Sequence, residues 1–542
     1  MKKRLWRLAA LLLALGFLLG SLTGCKKREE EKEGILPTAD KMRTYYQIFP
    51  YAFADSNGDG VGDLQGIIAK LDYIDGLHYD GLWLTPVHPS PTYHKYDVTD
   101  YYDIDSAFGT LEDYDALIAA CHERGMTVLL DLVINHSAKD HPWFKKCAAA
   151  QIKGKTDDPY YSYYNFRKLE KGESIPGGWE RFESYDWIYE CRFWSGMPDL
   201  NLQSVLDDPE GPLAQEITSI LKFWLIDHDV DGFRLDAVTS YFTNDEEKNL
   251  AFLTWLNKTA KEIKPDCYIV GEGAWGNPGE NQRYQASGID SFFAFQHGYT
   301  ANGNLSYAAR LGKAAYLYLI DEDNAEISAP GIPATFISNH DTGRAYGIAM
   351  AAAQPDALKT IFGLMAMCYG PTFSYYGDEV GMSVLSAGGT QSSYKDEDKR
   401  QPMPWGDEYE CKPVKGSTEG TREEKYPYGT VAEQEEDETS LLNYIRRANA
   451  IRRAYPQIAR YQAANVYINF ERDLCLVSKG EGTEKIYILW NASLNQSRTY
   501  DLSQLEGSWQ VGATLSNEEI PSVKGGVVTM PPQTFAIIEP AA

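Results

Sequence analysis

The sequence predicts an α/β fold: a (β/α)8 barrel (TIM barrel) with a domain B inserted after its third strand and a C-terminal antiparallel β-sandwich. Three observations carry this. Strand-like apolar runs occur at eight places between Thr44 and Tyr376, with helix-like runs among them, which fits a closed barrel better than an open sheet. Several of these runs end in ionisable groups: Phe233-Arg-Leu-Asp236, Val270-Gly-Glu272 and Phe336-Ile-Ser-Asn-His340-Asp341. A barrel presents its chemistry at the C-terminal ends of its strands. Beyond Val466 the alternation gives way to strands separated only by turns, the pattern of a sandwich.

Taken in order, residues 1–24 read as a secretory signal. Lys2, Lys3, Arg4 and Arg7 precede the apolar run Leu8–Leu19, and Leu22-Thr-Gly-Cys25 closes it. Residues 25–40 are charged and aperiodic, a tether. The barrel is expected over 41–136 and 205–457. Its strands are Thr44–Phe53, Asp80–Val87, Met126–Asn135, Asp231–Val238, Cys267–Gly271, Ser291–Phe295, Ala334–Ser338 and Pro371–Tyr376. A helix over Leu64–Leu77 follows from Leu64, Ile67, Ile68, Leu71 and Ile74. Another spans Leu111–Arg124. Leu213, Ile217, Ile220, Leu221, Trp224 and Leu225 give a third with a full 3.6-residue stripe. Residues 137–204 break the alternation and hold Trp143, Trp179, Trp187 and Trp194; they read as an excursion walling a cleft or as an insertion with its own small core. Tyr409–Thr439, acidic and polar, reads as a solvated loop before the last barrel helix, Leu441–Arg453. The sandwich occupies 458–542, with strands at Val466–Phe470, Leu474–Ser478, Lys485–Trp490, Trp509–Val511 and Val527–Met530.

Composition narrows the partners. The chain has 542 residues, 43% hydrophobic and 24% charged, with a formal charge of −26. Nucleic acid and anionic membrane surfaces both need basic patches, so neither is expected as a main partner. A neutral substrate is compatible. The 37 Tyr and 12 Trp suit carbohydrate, whose apolar ring faces pack on aromatic rings, although aromatics also fill cores. The Cys outside the leader, at 121, 147, 191, 267, 368, 411 and 475, show neither metal-ligand spacing nor a disulfide framework. One pair, Cys147 with Cys191, is a candidate bridge.

Arg234 and Asp236 lie two apart on one strand and so share one face. The guanidinium favours the ionised carboxylate, and an ionised carboxylate at a strand end is a competent nucleophile toward a sugar carbon. With two further acids at strand ends, glycoside hydrolysis follows. Asp236 attacks the anomeric carbon, Glu272 protonates the leaving oxygen and then activates water, and Asp341 binds substrate hydroxyls and favours the cation-like transition state. The loop Asp55-Ser-Asn57-Gly-Asp59-Gly-Val61-Gly-Asp63 places oxygen donors at alternate positions, as a hard cation requires.

These motifs together resemble the α-amylase family of glycoside hydrolases, from about residue 41 to the C-terminus. Asp131-Leu-Val-Ile-Asn135-His136, Gly232-Phe-Arg-Leu-Asp236, Gly271-Glu272 and Asn339-His340-Asp341 match the family's strand-end motifs in order. Met197-Pro-Asp-Leu-Asn201 resembles the motif closing its inserted domain B. The resemblance implies Asp236 as nucleophile, Glu272 as acid/base and Asp341 as transition-state stabiliser. It also implies Tyr96, His136, Arg234 and His340 around the glucose at the cleavage point, with Tyr96 stacking beneath it. One departure is that Trp275 stands three residues after Glu272, where many relatives have Trp two after. The resemblance further implies structural Ca²⁺ at Asp55, Asn57, Asp59, the Val61 carbonyl and Asp63. Asn135 sits where some relatives bind another Ca²⁺. The ending Leu-x-Gly-Cys25 resembles a bacterial lipobox, implying a lipid on Cys25 and an extracellular protein anchored to the cell membrane by that lipid alone. The expected enzyme is a monomeric, retaining α-amylase of the lipoprotein, neopullulanase-like, α-1,4-acting kind, acting on starch and maltodextrins. The alternatives are an α-glucosidase, a cyclomaltodextrinase, a 4-α-glucanotransferase or a non-catalytic surface glucan-binding protein.

Overall fold

The computed structural model describes residues 36, 39–183, 185–273, 278–298, 302–350, 357–384, 395–517 and 519–541. The signal segment, nearly all of the tether with Cys25, and Trp275 lie outside them.

Eight parallel strands form the barrel: β1 (Thr44–Ile48), β2 (Gly81–Leu84), β3 (Thr127–Leu132), β7 (Gly232–Leu235), β8 (Tyr268–Gly271), β9 (Ser291–Phe292), β10 (Thr335–Phe336) and β11 (Thr372–Tyr375). Each of these from β2 to β9, and β11, pairs with its predecessor among them, and β11 pairs back onto β1. Closure between β9 and β10 rests on one parallel bridge, Phe293 to Ala334, with Ala294 N–H donating to the Ala334 carbonyl at 2.9 Å.

Alternate strand residues point inward. Tyr45, Trp83, Leu129, Tyr268, Val270, Phe293, Phe336 and Phe373 fill the interior as one cluster. Tyr45 stacks on Phe373 at 4.7 Å, and Trp83 on Phe293 at 5.2 Å. A second, larger core packs the outward faces of the strands against the surrounding helices. Gly232 is required by close approach: a Cβ there would lie 1.8 Å from the Tyr268 carbonyl oxygen on β8. Any side chain would push β7 and β8 apart where they begin, at the end of the barrel opposite the site.

Several elements are shorter than their apolar runs. β1 stops at Ile48 because Pro50 opens a 3-10 turn, Pro50–Ala52. The expected helix over Leu64–Leu77 breaks at Lys70 into Leu64–Ala69 and Leu71–Gly76; the Lys70 ammonium is held at Asp407 and over the Trp405 ring. The segment Tyr409–Thr439 is not simply a solvated loop. Two Thr-x-x-Glu capping boxes, Thr421/Glu424 and Thr430/Glu433, start the helices Arg422–Lys425 and Val431–Glu435, and Val431 and Gln434 are buried.

Between β3 and β7 the chain forms the helix Pro142–Lys153 and a small antiparallel sheet of β4 (Phe166–Lys168), β5 (Trp179–Arg181) and β6 (Trp187–Glu190), with β6 central. Phe144 packs edge-on against Tyr164 and Tyr189 beneath that sheet. Cys147 and Cys191 are both buried free thiols, so the candidate bridge is not formed, and all seven cysteines among the described residues are free.

After the helix Leu441–Ala454, a five-stranded antiparallel sheet contains β12 (Ala464–Ile468), β13 (Leu474–Lys479), β14 (Ile486–Asn491), β16 (Trp509–Leu515) and β19 (Thr534–Pro540). A three-stranded sheet contains β15 (Arg498–Asp501), β17 (Ser522–Lys524) and β18 (Val527–Met530). One face of the larger sheet shares a core with the smaller. Its other face is continuous with the barrel helices, Trp490 and Phe535 packing in the same cluster as Ile361, Phe362 and Tyr444. The sheets therefore are not a separate body: residues 38–542 form a single compact unit. A buried ion pair, Lys479 Nζ to Asp321 at 2.6 Å, joins the two parts.

Candidate active site

The site is built at the C-terminal mouth of the barrel, around one guanidinium. Arg234 lies opposite Asp131 in the β3–β7 ladder, and both point into the interior. Its Nη1 donates to Asp131 Oδ1 at 2.8 Å and to Asp236 Oδ1 at 2.7 Å, and its Nη2 lies 3.4 Å from Glu272 Oε2. The ladder continues past the strands themselves. Asp236 N–H donates to the Leu132 carbonyl at 3.2 Å and Glu272 N–H to the Leu235 carbonyl at 3.0 Å. These bonds place Asp236 and Glu272 side by side, as adjacent staves require. The Trp83 ring lies 5.4 Å beneath the Arg234 guanidinium. The cation is 1% exposed, so it is held by carboxylates and an aromatic face rather than by water.

Glu272 is aimed by an unusual backbone. Ala237 has φ 51°, in the left-handed region a side chain seldom occupies. From there its N–H donates to Glu272 Oε2 at 2.7 Å. An oxygen that accepts an N–H and faces a guanidinium does not carry the proton, so the acid form of Glu272 holds it on Oε1.

Asp341 follows β10 on a loop braced by Asn339, whose Oδ1 accepts from the N–H groups of Asp341 and Thr342. Its carboxylate receives Arg400 Nη2 at 2.9 Å on Oδ1 and His340 Nε2 at 2.9 Å on Oδ2. His340 Nδ1 faces the Gln47 side-chain amide at 2.8 Å. With that amide donating, the proton sits on Nε2, directed at Asp341 and at the Tyr96 oxygen 2.6 Å away. Tyr96 O–H in turn donates to Asp131 Oδ2 at 3.0 Å. A relay of four side chains therefore runs from β1 to β3.

The expected residues Asp236, Glu272, Asp341, Tyr96 and His136 line one cavity of about 470 Å³, together with His94, Phe193, Met197 and Arg400. Arg234 and His340 stand directly behind its wall, bonded to the acids. Tyr96 presents its ring there and stacks on His340, centroids 5.3 Å apart and planes within 6°. His136 Nε2 is bonded to the Tyr96 carbonyl at 3.1 Å, and Asn135 lies against its Nδ1, so Asn135 orients His136.

Burial raises the carboxyl groups of Asp236 and Glu272, and the Arg234 charge opposes this in both; the neighbouring Asp236 and Asp341 charges raise Glu272 further. At Asp236 the guanidinium is therefore not the largest influence, contrary to the sequence argument. Burial also acts on Asp341, but His340 and Arg400 outweigh it and hold that carboxyl well below the ordinary range. Burial takes His136 down to about 4, leaving it neutral. The two strand-end acids are pushed up while Asp341 is pulled down: a raised Glu272 suits a proton donor, and a depressed Asp341 a fixed negative charge.

Strand-end reasoning does not find Arg400 or Gln47. Arg400 lies in Asp396-Glu-Asp-Lys-Arg400, off any barrel strand, and Gln47 is a mid-strand amide. The only sequence sign of either is a cation in an acidic run.

The loop Asp55–Asp63 is closed by its own amides. Asp55 Oδ2 accepts from Gly60 N–H at 2.7 Å and Oδ1 from Asn57 and Gly58, and Asn57 Oδ1 accepts from Asp59. Asp59 Oδ1 accepts from Val61, and Asp63 Oδ1 from Gly66 at the start of the next helix. Lys412 Nζ reaches the Asp59 carbonyl at 2.8 Å. Among the described residues no group of three or more His, Cys, Asp or Glu converges tightly enough to hold an ion.

The family model for the α-amylase catalytic domain matches residues 47–461. Alpha-amylase 3 of Dictyoglomus thermophilum is 37% identical over 383 residues, 69% of each chain. A probable alpha-glucosidase of Rhizobium meliloti is 30% identical over 535 residues, covering 87% of this chain and 93% of its own. Among solved structures, Eubacterium rectale Amy13B superposes with a TM-score of 0.80 at 35% identity, over 93% of this chain and 96% of that one. The alpha-amylase from H. orenii gives 0.75 at 30% identity, over 93% and 100%. Barrel, strand-end acids and these matches agree: the chain belongs to the α-amylase family and is a retaining glycoside hydrolase acting on α-glucosidic bonds.

Proposed function

We propose that the protein is an α-amylase cleaving α-1,4-glucosidic bonds of starch and maltodextrins by double displacement. The observation that carries the reading is the convergence of Asp236, Glu272 and Asp341 on one cavity. Asp236 attacks the anomeric carbon and forms a covalent glycosyl-enzyme as Glu272 Oε1 delivers its proton to the leaving glycosidic oxygen. Glu272, now ionised, takes a proton from water, which attacks the same carbon and releases Asp236. Asp341, kept ionised by Arg400 and His340, binds hydroxyls of the distorted sugar and stabilises its positive charge. Arg234 opposes the rise that burial imposes on Asp236 and orients its carboxylate; Tyr96 stacks under the ring, and His136 and His340 border it.

The Met197-Pro-Asp-Leu-Asn201 form and Ala237 support α-1,4 rather than α-1,6 action. The long match to a probable alpha-glucosidase supports exo-action as the second reading. Digestion of maltoheptaose separates them: mixed maltooligosaccharides from the first minutes support the amylase, glucose alone supports the glucosidase, and longer products mean transfer. Asp236→Asn with wild-type turnover would refute Asp236 as the nucleophile, and absence of turnover by the wild-type chain would leave only a glucan-binding role.

Two further parts belong to the proposal. The Asp55–Asp63 loop would hold a structural Ca²⁺ through Asp55, Asn57, Asp59, the Val61 carbonyl and Asp63, an all-oxygen donor set suited to a hard cation, with the carboxylates exchanging their bonds to the loop amides for the ion. The enzyme works as a monomer at the outer face of the cell membrane, held by a lipid on Cys25. Metabolic labelling with a fatty-acid analogue tests the anchor: label absent from wild type, or persisting in Cys25→Ala, refutes it.

A further inference from the structure

We infer that Trp194 is the platform of a second α-glucan-binding site, set back-to-back with the catalytic cavity across a thin shared wall. The inference rests on the proposed glucan substrate and adds a place where the polymer is held away from the acids.

The wall is made of two segments whose residues divide between its sides. Phe193 and Met197 line the catalytic cavity, whereas Trp194, Ser195 and Gly196 line a separate hollow of about 430 Å³. On the facing segment, His94 and Tyr96 line the first, and Thr92 and Asp97 the second. Trp194 is 55% exposed, unusual for the largest apolar side chain. It is nonetheless not loose. Its ring lies against the backbone of Gly196, where a Cβ would fall 2.1 Å from the ring, so Gly at 196 is what lets the indole lie flat. A ring fixed before binding loses little conformational freedom when a ligand stacks on it.

The rest of the hollow has the chemistry of a neutral polyol site. Lys139 and Asp140 bring donors and acceptors of opposite charge to its rim, and Thr92 lies hydrogen-bonded to Asp97 at its base. An aromatic face with a few convergent polar groups is what a sugar ring needs: its C–H face packs on the indole and its hydroxyls bridge the rim. Two carboxylates, Asp97 and Asp140, against one ammonium, Lys139, disfavour an anion, and the Ser90 and Thr92 hydroxyls already occupy Asp97.

The test uses the full chain carrying Asp236→Asn, so that starch is bound but not digested, in affinity electrophoresis through gels with and without soluble starch. An iminosugar at saturating concentration fills the catalytic cavity. Retardation that persists with the iminosugar, and weakens about tenfold on adding Trp194→Ala but not Trp194→Phe, is the expected result. Retardation abolished by the iminosugar alone, or unchanged by Trp194→Ala in a chain of unaltered melting temperature, overturns the second site. Turnover of maltoheptaose by the wild-type chain reports separately on the glucan reading.

Discussion

Replacing Arg400 by Met raises the pH at which Asp341 loses its charge and leaves the alkaline limb of the pH–activity profile in place. The Arg400 guanidinium is 3% exposed and donates to Asp341 at 2.9 Å. At a charge separation of roughly 4 Å and an effective dielectric near 20, the pair is worth about 4 kcal/mol. The Asp341 side chain is 31% exposed, and solvent screening takes away about half of that. The remaining ~2 kcal/mol corresponds to roughly 1.5 pH units. The sign follows from the direction of the shift. Asp341 is held below its ordinary range, so its useful ionised form persists as pH falls and is lost only on crossing the depressed pKa. Without Arg400 that crossing comes at higher pH. Glu272 sets the alkaline limb, and its carboxyl is governed by burial, Arg234, Asp236 and Asp341 rather than by Arg400, so that limb stays. The assay follows the Asp341 carboxylate band by difference infrared spectroscopy against pH, assigned by its loss in Asp341→Asn, with Arg400→Lys expected to fall between wild type and Arg400→Met. In parallel, kcat/KM against pH reports Asp236 on the acid side, because burial raises that carboxyl, and Glu272 on the alkaline side. An Asp341 titration shifted by less than about 0.3 unit, or shifted downward, would refute the role given to Arg400.

Glu272→Gln should cost about 10³-fold in kcat and abolish the alkaline limb, because activity falls with rising pH only as the raised Glu272 carboxyl loses its proton; a surviving limb in the rate profile would place the acid elsewhere. Lys479→Met strands the wholly buried Asp321, a loss of about 3–5 kcal/mol seen as a melting temperature lower by several degrees; recovery of more than half on adding Asp321→Asn identifies the buried charge as the cause, and no recovery refutes it. Chelation should lower the melting temperature, with Ca²⁺ but not Mg²⁺ restoring it, and Asp55→Ala should remove the response; a melting temperature indifferent to chelator argues against the ion.

Much of the barrel was legible because its strands are continuous apolar runs punctuated by acids, and both signals come from local chemistry. Run length misled wherever a backbone event cuts across hydrophobicity: Pro50 ends β1, and Lys70 divides a helix whose apolar period runs straight through it. The strands β15, β17 and β19 were missed. Ser522–Lys524 is wholly exposed and shows no apolar alternation, and β19 begins directly after a Pro-Pro-Gln turn. At the site, Asp236 and Glu272 were readable because each directly follows a strand, and Asp341 because it closes the polar end of the apolar run that holds β10, on the loop beyond that strand. Arg400 was not, since it reaches Asp341 from a loop 59 residues onward, and only folding brings the two together. The capping boxes of 421–435 were readable but were outweighed by the acidity of the surrounding sequence.

The barrel's seam bears on how this enzyme responds to heat. β9 and β10 are two residues each and meet through a single bridge, whereas β2 and β3 share four paired positions. Amide exchange should be fastest along that join, well before the remaining staves open. The strand beside it leads directly to Asp341, while Asp236 and Glu272 hang from the well-laced half. Warming would therefore slacken one carboxylate against the other two, and turnover would fade some degrees below the temperature at which the molecule melts.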